Sequence, residues 1–190
     1  MKQMTPVGRT VAVIGGCVMI LACVLYVLSN GLPLWHRGVI SNEPVGIIET
    51  VGTRDLNGSY RAAGLWLECN WNTNNSSCTR LPLTCSGDSS SLCLKRIFAR
   101  VFLTAACFVS LLSALCLFIS IVIKSKLHRI LTIIAKILPL ISLIFGFTGV
   151  ALGIAYVAGD LMDTIREAAI LGITAVCTNI IGVLLALAMR

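Results

Sequence analysis

Charged side chains vanish from four stretches of the chain, Thr10–Trp35, Val101–Ile123, Ile137–Gly159 and Ala168–Met189, each at least 22 residues long. A helix rises 1.5 Å per residue, so about 20 apolar residues cross a hydrocarbon core roughly 30 Å thick. The pattern therefore predicts four spanning helices, over about 10–35, 97–123, 131–159 and 168–189. Between them lie a long polar segment, about 36–96, a tight turn "KSKLHR", and a short link, about 160–167. Short joints force the second, third and fourth helices to run antiparallel to their neighbours, which predicts a compact four-helix bundle in a single domain, 1–190. Within the long segment the period changes. "VGIIETVGTRDLNGSYRAAGLWLEC" is rich in β-branched and aromatic residues and carries an Asn-Gly turn signal, so it reads as strands and hairpins.

Composition agrees with a membrane rather than a water-filled setting, since 57% of residues are hydrophobic and only 12% are charged. The first apolar run is longer than the core of a signal peptide and ends in "NGLPLW" rather than at a small-residue cleavage site, so it is expected to remain as an anchor. Charge then orients the chain. All eight acids (Glu43, Glu49, Asp55, Glu68, Asp88, Asp160, Asp163 and Glu167) fall in the long segment and the short link. Lys2, Arg9, Lys124, Lys126, Arg129, Lys136 and Arg190 lie on the other face, which holds no acid and accounts for the net +7. By the positive-inside rule that face, with both termini, is cytoplasmic, and the expected location is the plasma membrane. The excess is divided between two tails and one turn, which argues against a nucleic-acid surface.

Candidate chemistry inside the spans is sparse. Lys136 sits near the cytoplasmic end and is expected to snorkel toward the headgroups. Asn179 is the amide of the fourth span and is expected to bond between helices. Gly149 and Gly153, with Ala106, Ser110, Ser113 and Ala114 on the second span, suit close backbone packing, and Pro139 is expected to kink the third span. Cys17, Cys23, Cys107, Cys116 and Cys177 read as small apolar residues. The two histidines, His36 and His128, fall on opposite faces and no carboxylate lies in a span, so an enzyme is not expected and no metal or cofactor is implied.

Outside the spans the cysteines are even in number: Cys69, Cys78, Cys85 and Cys93. An exofacial setting is oxidising and predicts disulfides. Three pairings are open, and the nearest-neighbour one, Cys69 with Cys78 and Cys85 with Cys93, is the expected one. "NGS", "NNS" and "NSS" make Asn57, Asn74 and Asn75 glycosylation candidates on the same face.

Trp35 in "GLPLWHRG", then Gly64-Leu65-Trp66, two residues, Cys69, eight residues and Cys78, together with Arg100 at the start of the second helix, resemble the signature of the claudin family. The resemblance implies a left-handed four-helix bundle capped by an extracellular antiparallel β-sheet, with one disulfide joining two strands and the tryptophans at the membrane junction. It further implies polymerisation side by side in one membrane, with itself and with other claudin-like proteins, into a paracellular barrier or ion-selective pore. Arg80 and Glu68 are the candidate pore charges. The added Cys85/Cys93 pair, the longer spacing from Trp35 to Gly64 and the short second link depart from the family pattern. No PDZ scaffold is implied by the terminal "LAMR". The alternative is an auxiliary subunit of an ion channel or receptor, resembling calcium-channel gamma subunits or the peripheral myelin protein branch.

Overall fold

Four helices and four strands make up the computed structural model, which describes residues 6–32, 36–39, 60–72, 75–81, 85, 90–123, 127–159 and 167–189. In chain order they are α1 (Pro6–Gly31), β1 (His36–Val39), β2 (Tyr60–Ala63), β3 (Leu67–Asn72), β4 (Asn75–Arg80), α2 (Ser90–Val122), α3 (Leu127–Gly159) and α4 (Glu167–Ala188). All four helices are long and apolar enough to cross a membrane, which fits a multi-pass membrane protein. Each of α2 and α3 has 33 residues, about 50 Å, more than a bilayer core needs. They start at Ser90 and Leu127, several residues before the expected 97 and 131. Missing charge marks where a helix crosses hydrocarbon, not where it begins, so both helices continue through Lys95 and Arg96 in one case and Arg129 in the other.

Burial along each helix follows one spacing. In α1 the buried positions include Gly8, Ala12, Gly15, Met19, Ala22, Tyr26 and Ser29; in α4 they include Ala168, Gly172, Ala175, Asn179, Gly182 and Ala186. Steps of four and three alternate, a 3.5-residue period that matches left-handed packing. The same alternation places Ala99, Leu103, Ala106, Ser110, Ser113, Leu117 and Ser120 of α2 inside. Large side chains lie on the outside instead: Phe108 and Phe147 are 68% and 65% exposed. In lipid no hydrophobic gain draws helices together, so close approach of small residues does. A Cβ at Gly149 would stand 2.9 Å from Leu103, and one at Gly182 would stand 2.5 Å from Met19 Sδ. Gly149 thus serves packing within the bundle.

α1 packs on α2 and α4, and α3 packs on α2 and α4, so sequence neighbours are spatial neighbours around the ring. Polar bonds cross the interior. Asn179 Nδ2 donates to Tyr26 Oη (3.2 Å) and Ser142 Oγ (2.9 Å), and Ser142 donates to the Ala106 carbonyl (3.0 Å). One network therefore touches all four helices. Ser110 donates to the Met19 carbonyl at 2.7 Å, and Ser29 to the Ala168 carbonyl at 2.8 Å. Lys136 also reaches the end of a neighbouring helix. Its Nζ donates to the Met189 carbonyl at 2.9 Å, where the C-terminal end of α4 presents unpaired carbonyls and a partial negative charge that attract a cation. α3 runs continuously past Pro139, which is buried among its neighbours.

The strands form one antiparallel sheet in the order β1-β2-β3-β4. His36 faces Ala63, Ala62 faces Cys69, and Cys69 faces Cys78 in register. β1 and β4 are its edges.

Candidate functional site

The turn from β2 into β3 docks the sheet onto the bundle. Gly64 N–H donates to the Leu67 carbonyl at 2.8 Å, and Leu81 N–H donates to the Trp66 carbonyl at 3.0 Å, which ties the base of the β3–β4 hairpin together. Gly64 is buried and Leu65 is fully buried, packed in the core cluster with Tyr26, Ala99, Leu103 and Val150. A short apolar plug between two strands explains why Gly-Leu-Trp occurs here: glycine turns, leucine inserts, and tryptophan lies across the joint.

Arg100 meets this turn from α2. It is 1% exposed, its Nε donates to the Leu65 carbonyl oxygen, and its guanidinium carbon lies 4.8 Å from the centroid of the Trp66 ring. A cation over an indole face gains about 0.5–2 kcal/mol, more as water is excluded. From Trp66 the chain of bonds continues: Nε1 donates to Asn30 Oδ1 at 2.8 Å, Asn30 Nδ2 donates to Thr104 Oγ1 at 2.9 Å, and Thr104 Oγ1 donates to the Arg100 carbonyl at 2.7 Å. The last turn of α1, the β2–β3 turn and α2 are thereby locked in one circuit. Arg100 Nη1 and Nη2 have no hydrogen-bond partner among the described residues, so the Nε bond to the Leu65 carbonyl and the stacking on Trp66 together offset that buried charge.

One turn earlier on α2, Arg96 is also buried; its guanidinium carbon is 6.0 Å from the Tyr156 ring of α3 and its Nη2 lies 3.7 Å from Cys93 Sγ. Two like charges four residues apart on a helix repel, and each is answered by an aromatic ring. Both disulfides are formed in the nearest-neighbour pairing. Cys69–Cys78 staples facing residues of β3 and β4, and Cys85–Cys93 ties the chain after β4 to the first turns of α2.

Among the residues singled out from sequence, Gly64, Leu65, Trp66, Cys69, Cys78 and Arg100 come together at this joint. Arg80 ends β4 and is exposed, while Glu68 faces Thr79 in the ladder. The Glu68 side chain lies outside the described residues. Asn75 opens β4 opposite Asn72. Trp35, Asn57 and Asn74 lie outside the described residues. Asn30 and Thr104 were missed by sequence reasoning. Thr104 stands one turn past Arg100, and Asn30 follows an interior position at the end of α1, but single polar residues at a helix end carry no signal of what they bond. The groups gathered here, a guanidinium, an indole, an amide and a hydroxyl, orient and anchor a platform.

No protein-family model matches the chain, and no curated protein matches it.

Proposed function

We propose that the protein is a claudin-like component of cell–cell junctions that self-associates within one membrane to form a paracellular barrier or ion-selective pore. The reading rests on the joint of Trp66 and Arg100 carrying a disulfide-stapled hairpin, the arrangement a family motif of Gly-Leu-Trp, two cysteines and a helix-borne arginine would need. In this reading the sheet is extracellular and both termini are cytoplasmic, with Arg80 and Glu68 supplying fixed charge beside the ion path. A platform rigid enough to hold its edges in place suits lateral association with further copies and with other claudin-like proteins. Expression in cells that lack tight junctions tests it: enrichment at contacts with strands in freeze-fracture replicas is expected. A uniform plasma-membrane distribution without strands would overturn it.

A second reading is favoured by a specific observation. Only seven residues, 160–166, separate α3 from α4, which is short for an adhesive loop, and the Cys85–Cys93 staple adds a feature beyond the claudin motif. An auxiliary subunit of an ion channel or receptor accounts for both, and co-purification with a channel from cells that show no strands would establish it.

A further inference from the structure

Two thiols face each other inside the bundle, away from the joint. Cys23 Sγ on α1 lies 3.0 Å from Cys107 Sγ on α2, and a disulfide spans about 2.05 Å, so the sulfurs stand roughly an ångström from bonding distance. Cys23 is buried beside Ala22, and Cys107 is half-buried with one side open to the helix surface. Cys107 lies seven residues along α2 from Arg100, about 10 Å into the apolar span on the sheet side. Cys17 and Cys177 are exposed on the helix surface, and no second sulfur lies beside either among the described residues.

We propose that Cys23 and Cys107 form an intramembrane redox pair that reduces lipid peroxyl radicals and closes into a disulfide between α1 and α2. Hydrocarbon disfavours a thiolate, the form that attacks peroxides and disulfides in water, so ionic oxidation is closed at this depth. Hydrogen-atom transfer needs only the neutral S–H. One peroxyl radical takes the hydrogen atom from the first thiol and becomes a lipid hydroperoxide, leaving a thiyl radical. A second peroxyl radical takes the hydrogen of the neighbouring thiol in the same way. The two sulfur-centred radicals, already in contact, combine to form the S–S bond. Two thiols and two peroxyl radicals thus give one disulfide and two lipid hydroperoxides, with no ion created in the bilayer. Closure links positions 84 residues apart, and the loop it spans includes the entire sheet, so oxidation would restrain separation of the two helices that carry the Trp66 joint.

The test uses the full chain in nanodiscs of polyunsaturated phosphatidylcholine, with a lipid-soluble azo initiator in air, followed by alkylation and peptide mass spectrometry. The expected result is joint loss of alkylation at Cys23 and Cys107, a peptide joined through them, and recovery with a membrane-permeant phosphine. In Cys107→Ser, Cys23 should keep its thiol several-fold longer. Retention of both thiols under the initiator, or equal loss of Cys23 in the parent and in Cys107→Ser, would overturn the proposal. A triple variant, Cys17→Ser/Cys116→Ser/Cys177→Ser, keeps the pair and guards against misfolding of the single variant. The mass of its linked Cys23 and Cys107 peptides should be lower by two hydrogens than the sum of the two thiol peptides, whereas unlinked thiols or oxygen gained on either of these two sulfurs would overturn the proposal.

Discussion

The bundle and the sheet are built on opposite rules although one chain makes both. In the bundle most inward positions carry small residues, with a few large ones such as Tyr26 and Leu103 among them, and bulky side chains line the outside: Ala12, Ala106, Ala135 and Ala175 are fully buried while Phe108, Ile144 and Phe147 face outward. Nothing covalent crosses it among the described residues, and its helices are held by close approach and a few polar bonds. In the sheet, β3 and β4 are stapled by Cys69–Cys78, the chain after β4 is tied to α2 by Cys85–Cys93, and the whole is fastened to the helices through Arg100, Trp66 and Asn30. Volume governs the first region and crosslinks govern the second. Substitutions chosen by these rules should damage one region and spare the other.

The largest effect belongs to the bundle. A Cβ at Gly146 would lie 2.0 Å from Tyr26 Oη and 2.5 Å from its Cζ. That phenol is fully buried and already accepts from Asn179, so it cannot withdraw without breaking the network. Gly146→Leu should cost about 3 kcal/mol or abolish the folded bundle, read as thermal unfolding of the purified protein in detergent. Gly31→Ala, where nothing lies within 4 Å, should stay within about 0.5 kcal/mol. Equal melting of the two variants would remove volume as the controlling factor.

Next comes the staple of the sheet. The double variant Cys69→Ala/Cys78→Ala opens a loop of nine-residue separation, which by chain entropy should withdraw roughly 2–3 kcal/mol. The loss should appear as faster amide exchange in β3 and β4 with the melting of the helices nearly unchanged. A matching drop in helix stability would mean that the two regions are one cooperative unit. Smaller still is Trp66→Phe, which keeps a ring over Arg100 and deletes the donor to Asn30. About 1 kcal/mol is expected, again confined to exchange in the sheet and the last turn of α1.

The two regions were also unequally legible. Absence of charge reported the four spans because a bilayer penalises charge along a whole helix, yet it misplaced the starts of α2 and α3, where Lys95, Arg96 and Arg129 ride on helix outside the apolar run. Alternation of three and four was present in the positions of Gly, Ala and Ser and would have placed Tyr26 and Asn179 together inside, had it been read as packing rather than as apolar length. At the joint, Gly64, Trp66, Cys69, Cys78 and Arg100 could be picked out by type and spacing. Their partners could not, because Trp66 meets Asn30 across 36 residues of sequence and Asn30 meets Thr104 across 74, through geometry that only the folded chain possesses. The Cys23–Cys107 contact was hidden for the same reason, since a cysteine in an apolar span reads as a small hydrophobe until its neighbour is known.

The smallest effect is the most informative about the bundle. Asn179 bonds to two other helices, and removing it tests whether polar bonds or packing hold the helices. Between transmembrane helices such bonds average about 0.6 kcal/mol and reach about 1.7, because the separated helices also find partners. Asn179 Oδ1 has no partner among the described residues, and deleting a buried, unsatisfied acceptor is itself favourable. Asn179→Leu, close in volume, should therefore change stability by less than about 1 kcal/mol, far below Gly146→Leu, when both are melted in the same detergent. A loss above about 2 kcal/mol would reverse the contrast drawn between the regions: the bundle, like the sheet, would then depend on a few specific bonds, and its small residues would serve to let Asn179 reach Tyr26 and Ser142.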